Sequence, residues 1–199
     1  MAYSNFTSSE LKKKFGVKFT SANLFPDVMP VEPSAWLKET LKIGRTMGIA
    51  NEKSRSERLV SPVLLELATI NKYIFSIHSG VDLNIDEKAG LNGECDFIFS
   101  YNRIQDFLNT PVFCITEAKK QDIEQGTIQC AAQLIAARRF NENEEEDIPV
   151  LYGCSTTGLE WRFLKFENNQ FTLDETWYLV SELPQLLGVL QEIVNLTKK

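Results

Sequence analysis

The sequence predicts an α/β fold in which a mixed β-sheet is flanked by helices. Three observations predict it. Segments with helical spacing alternate with short runs rich in Val, Ile, Phe and Tyr. The central stretch pairs two strand-like runs and leads directly into a helix-like one, an order that favours a sheet covered by helices. The chain has 199 residues, 43% of them apolar and 24% charged, which suits a domain with a sizeable core.

The first 33 residues lack strong periodicity, and Pro26, Pro30 and Pro33 mark an irregular connector. Lys12-Lys13-Lys14 reads as a solvated helix face or a phosphate-contacting arm. Ser34 is an N-cap for a helix running to about Met47, with Trp36, Leu37, Leu41 and Ile43 on its apolar side. A longer helix is expected over Ser54 to Tyr73, where Leu59, Val63, Glu66 and Ile70 share a face. Pro62 marks either a kink or the true first turn of that helix. Tyr73 to His78 and Val81 to Ile85 have strand character around a turn at Ser79-Gly80, and Asp86 to Gly90 is a further turn. Phe97-Ile98-Phe99 and Pro111 to Thr116 form a hairpin across the polar stretch Tyr101 to Asn109. A helix follows over Ile123 to Phe140. Ile148 to Cys154 and Leu159 to Phe166 make a second hairpin, and Phe171 to Leu173 and Trp177 to Val180 are short strands. The amphipathic stretch Leu183 to Leu196 reads as a helix packed on the domain, with a homodimer through its apolar face as the alternative. A basic helical extension, 1–53, is thus expected to precede the main domain, 54–199.

Charge and composition exclude some classes. No apolar run approaches the length of a membrane span, roughly 18 residues. The N-terminus has no apolar segment of the secretory type, and the four cysteines form no Cys-x-x-Cys pair, so buried thiols in a reducing cytoplasm are expected. The net charge is −6, but residues 1–60 hold 10 Lys and Arg against 6 Asp and Glu. That basic third can meet phosphates. His78, the one histidine, stands beside no nucleophile motif and reads as a strand-end residue.

The chemistry concentrates at the end of the first hairpin. Glu117 and Lys119 project from the same face of their strand, and pairing brings Asp96 near Glu117. Two carboxylates and a lysine are costly to bury unless they serve a divalent cation. Glu66 lies in an apolar run where a carboxylate needs a partner, and it is the preferred third acid. Glu57, about 180° away on an ideal helix, is the alternative. Mg²⁺ (or Mn²⁺) takes oxygen ligands, so Asp96, Glu117 and Glu66, with the backbone carbonyl of Ala118, can supply the protein's share. Lys119 would orient the attacking water or offset charge growing on a phosphate. Gln129 and Gln133, one helical turn apart, can face the same place.

Asp96 followed by Glu117-Ala118-Lys119 resembles the PD-(D/E)xK nuclease superfamily, with Glu117-Ala118-Lys119-Lys120 similar to restriction-enzyme nuclease domains. The likeness covers roughly residues 54–166 and implies a restriction-endonuclease-like αβββαβ core within 54–199. It further implies that Asp96 and Glu117, joined by Glu66 or Glu57, hold the metal, that Lys119 is the catalytic lysine, and that Gln129 matches a helix glutamine behind the site. Cys95 stands where the motif's name has proline, and the acidic chain lacks an evident DNA-specificity domain. The expected function is therefore a metal-dependent nuclease acting on nucleic acid, DNA in the first instance. The alternative is an inactive nuclease-fold protein that binds nucleic acid or a protein partner.

Overall fold

A computed structural model describes residues 2–198 apart from Arg103, Gln105 and Lys120, which fall in the expected polar turn and in the Glu117–Lys120 segment. Eight strands among the described residues form one open, mixed sheet. They are β1 (Lys18–Ala22), β2 (Ser76–Asp82), β3 (Glu94–Ser100), β4 (Val112–Ala118), β5 (Val150–Thr156), β6 (Glu160–Glu167), β7 (Gln170–Asp174) and β8 (Tyr178–Leu179). Their order is β1-β7-β6-β5-β4-β3-β2, with β8 beside β6. β1–β7 and β4–β5 are parallel and the remaining pairs are antiparallel. The helices are α1 (Ser8–Phe15), α2 (Ala35–Thr46), α3 (Glu52–Arg55), α4 (Ser61–Ile70), α5 (Ile123–Asn143) and α6 (Leu183–Thr197).

Alternation along the strands builds two cores. On β6, Trp161 and Phe163 join α2, α4 and α6 on one face, while Leu164 and Phe166 join α5 on the other. The parallel β4–β5 pair needs a crossover, and α5 supplies it. Small residues let α5 lie close to the sheet: Ala131, Ala132, Ala136 and Ala137 are all fully buried. Gly153 on β5 completes the fit, because a Cβ there would stand 2.6 Å from Cys130 Sγ and 2.8 Å from both Leu134 and Leu164. Gly188 on α6 has a similar duty, since a Cβ would meet Met29 O at 2.5 Å.

Most of the expected elements form, but four expectations change. The stretch 1–53 is more than an extension: β1 extends the sheet through backbone pairing to β7, and Tyr3, Phe6 and Leu11 enter the α5-side core. Tyr3 Oη donates to Leu83 O, tying this segment to the chain just after β2. The two strand runs around Ser79-Gly80 are one strand, because Gly80 takes a positive φ of 63° without reversing the chain, and both halves pair with β3. The apolar face of Leu183–Leu196 is used within the chain: Leu186, Leu187, Leu190, Ile193 and Val194 are buried in the core, leaving that face unavailable to a homodimer. The long early helix is interrupted by a π-turn over Ser56–Val60 just ahead of Pro62. Proline has no N–H to give the carbonyl four residues back, Arg58, and a wider turn absorbs the mismatch. That carbonyl instead lies against Gly44, where a Cβ would come within 2.6 Å of it.

Replacing Gly153 with Ala should push α5 away from β5 and lower the unfolding free energy by about 1–3 kcal/mol, the usual range for overpacking a tight core. Urea titration followed by circular dichroism checks this; an unchanged midpoint would contradict the tight fit.

Candidate functional site

The site grows from the register of the β3–β4 hairpin. Phe97 opposes Thr116 and Ile98 opposes Ile115, so the next step along the ladder brings Asp96 beside Glu117 on the face that packs against α5. Asp96 Oδ2 accepts the Ala118 N–H at 2.7 Å, which fixes its carboxylate across the strand ends. Glu117 is almost fully buried, and both of its oxygens have partners. Gln133 Nε2 donates to Oε2 at 2.7 Å, and Lys119 Nζ sits 2.8 Å from Oε1. Lys119 also lies 3.2 Å from Glu52 Oε1.

Glu52 is the unexpected member. It opens α3 behind an Asn51 cap whose side chain accepts from Ser54 N at 2.8 Å. One carboxylate oxygen from each of Glu52, Asp96 and Glu117 lies within 4.8 Å of the others. Glu66, the acid preferred from sequence, is elsewhere. Its two oxygens accept the N–H and Oγ–H of Ser34 at 2.7 and 2.9 Å, so it is a partner of the α2 N-terminus. Ser34 Oγ in turn accepts from Leu37 N at 3.2 Å as the helix cap. The buried acid does need a partner, and a serine 32 residues earlier provides it. Glu57 is exposed in the π-turn and is outside the carboxylate group.

The two glutamines of α5 divide their roles. Gln133 holds Glu117; Gln129, one turn earlier, is buried with its Oε1 lacking a hydrogen-bond partner. Gly126, one turn earlier again, keeps the helix clear of the lysine. A Cβ there would meet Lys119 Cγ at 2.7 Å and Ser155 Oγ at 2.3 Å. Neither Gly126 nor Glu52 carries a periodicity signal of its own; the Asn51–Ser54 cap is the one local sign of where α3 begins.

Burial controls the electrostatics. Burial first, then the Asp96 charge, push Glu117 up to about 7, against the pull of Lys119 and Gln133. Burial likewise raises Asp96, opposed by the Ala118 amide and Lys119. For Lys119, burial alone would favour the neutral amine, but Glu117 and then Glu52 outweigh it and hold the ammonium above its usual value. Among the described residues, three carboxylates thus face one ammonium in this group. Their all-oxygen donor set, poor in positive charge, fits a hard divalent cation such as Mg²⁺ or Mn²⁺.

Two measurements test these assignments. Folding raises the Glu117 value from an ordinary 4.5 to about 7, so its protonated form stabilises the fold fully below about pH 4.5 and that contribution disappears as the pH rises through 7. Melting temperature in chelator should therefore fall between these values, and Glu117→Gln should flatten the slope. Glu66→Gln should lower stability by about 1–3 kcal/mol, because one of the two Ser34 donors then meets an amide NH2 instead of an acceptor, yet leave Mn²⁺ affinity by calorimetry unchanged. Loss of Mn²⁺ binding in that variant would return Glu66 to the site.

Compared with known proteins, the chain matches no family model, no curated protein and no solved structure.

Proposed function

We propose that the chain is a metal-dependent nuclease that hydrolyses phosphodiester bonds, with DNA as the expected substrate. The observation that carries this reading is the convergence of Asp96, Glu117 and Glu52 within 4.8 Å, beside the Lys119 ammonium. The element order α4-β2-β3-β4-α5-β5 supports the likeness to the αβββαβ core of the PD-(D/E)xK superfamily. In this reading the three carboxylates hold Mg²⁺ or Mn²⁺, with the Ala118 carbonyl as a further oxygen donor. When bound, such an ion supplies a water of lowered pKa and offsets phosphate charge.

The chain's own groups do the positioning. Gln133 and Lys119 lock the Glu117 carboxylate from both sides. The Ala118 amide aims Asp96 toward it. Lys119 presents its ammonium where charge develops on a phosphate oxygen, while Glu52, the most exposed of the three acids, opens the group to solvent. Gln129 offers a buried amide oxygen that can accept a hydrogen bond from an ordered water.

A second reading rests on one observation. Lys119 pairs with both Glu117 and Glu52, so the group can stand as an internal ion-pair network in an inactive nuclease-fold protein that binds nucleic acid or a protein partner. Incubation with plasmid and linear DNA plus Mg²⁺ or Mn²⁺ decides. Asp96→Asn and Lys119→Ala should each reduce cleavage by at least about 100-fold, the scale of removing one preorganised charge from the reacting group. Equal cleavage by the variants would rule this site out as its source. Absence of Mn²⁺ heat in calorimetry with the intact protein would favour the ion-pair reading.

A further inference from the structure

We propose that the groove between α2 and the start of α6 is a docking track for the phosphate backbone of a nucleic acid strand. The partner's identity rests on the nuclease reading; the track itself rests on the groove. Lys38, Lys42 and Arg45 lie at successive i, i+4 and i+7 positions on α2, hence on one side of that helix. All three are exposed, and they span about 10 Å along the axis. They line a groove of about 690 Å³ whose other wall includes Val180, Ser181 and Leu183. Among the described residues, no carboxylate lines it.

The acids that do approach these cations stand outside the groove and bind them weakly. Glu32 reaches Lys38 and Glu39 reaches Lys42, each at 3.8 Å, with all four side chains largely in water. Pairs of that kind exchange readily for another anion. The chain as a whole carries a net charge of −6, whereas Lys38, Lys42 and Arg45 set against Glu32 and Glu39 leave a small local excess of positive charge. The buried wall of the groove is apolar, with Leu41 and Val180 in the core, while the lysine side chains stand largely in water at its rim. A backbone of repeating, sequence-independent phosphates is the polyanion that such a row of charges fits.

One end of the track is close in the chain to the acid group. Arg45 is in the last turn of α2, and seven residues later Glu52 enters the acid group. That length of chain spans at most roughly 25 Å even when fully extended. Arg58 Nη1 fastens the intervening loop by donating to Met47 O at 3.0 Å and to Gly48 O. A strand held by α2 is therefore within a few nucleotides of the site.

Fluorescence anisotropy with a labelled oligonucleotide, single- and double-stranded, in chelator tests the track without cleavage. The Lys38→Ala/Lys42→Ala/Arg45→Ala triple variant should weaken binding and make the log K against log salt slope shallower by about 2–3, nearly one unit for each phosphate no longer neutralised. Exchanging the cation type but keeping its charge, with Lys38→Arg/Lys42→Arg in an otherwise intact chain, should keep the slope. A Lys12→Ala/Lys13→Ala/Lys14→Ala variant on α1 serves as the charge-matched control and should leave both quantities close to the parent. Equal loss in the α1 variant, an unchanged slope in the α2 variant, or binding to anionic lipid vesicles with none to oligonucleotide would each overturn the proposal. An unchanged slope together with cleavage abolished by Asp96→Asn sinks the track and leaves the nuclease reading standing. A groove-dependent slope without any cleavage does the reverse.

Discussion

The register of the β3–β4 hairpin is the constraint on which the rest of the site depends. Side chains alternate along a strand, so a slip of one residue would carry Glu117 to the opposite face and away from α5. The pairing of Phe97 with Thr116 and Ile98 with Ile115 is held by burial on both faces of the sheet: Phe97 packs into the α2/α4/α6 core and Ile98 into the α5 core. The geometry of the acids is thereby set by hydrophobic packing that has no part in their chemistry. The same packing makes the site energetically awkward, because it removes Glu117 from water and leaves Asp96 half-buried beside it. The neighbouring amide, the glutamine and the ammonium offset part of that penalty, and the raised values of Glu117 and Asp96 reflect what is left.

How the third acid arrives is a matter of helix geometry. α4 is tethered at its start by Pro62 and the preceding π-turn, and at its middle by Glu66 holding the α2 cap. Between α2 and that π-turn the chain has only a short loop and α3. Glu52 is placed by that loop and by the Asn51 cap, so an exposed side chain at a helix start completes a group whose other members are strand residues. Lys119, just beyond β4, reaches it across the sheet's end over the bare surface of Gly126.

Much of this is legible in the residues. The hairpin carrying Asp96 and Glu117, the helix behind it, the Ser34 cap and the second hairpin all have strong local signals: alternating apolar runs, a capping residue, a 3.6-residue period. What escapes a sequence reading is decided at long range. β1 is held at the sheet edge mainly by its ladder with β7, and its largely exposed side chains leave little apolar pattern to read. The apolar run around Glu66 shows that this acid needs a partner, but the partner is 32 residues away in sequence and no periodicity points to it. The choice between Glu57 and Glu66 assumes a regular helix; the π-turn breaks the phase, and the acid that joins the group comes from ahead of the break. The turn signal at Gly80 is real, yet a single left-handed residue bends one continuous strand there instead of ending it.

Arg58 belongs to two parts of the molecule at once. It lies in the π-turn that leads into α4, and its guanidinium grips the carbonyls just past the end of α2. The loop delivering Glu52 is thus clamped at its root. Although the Glu52 side chain is solvated, its backbone anchor is preorganised during folding, so bringing the three acids together demands little further loss of conformational freedom.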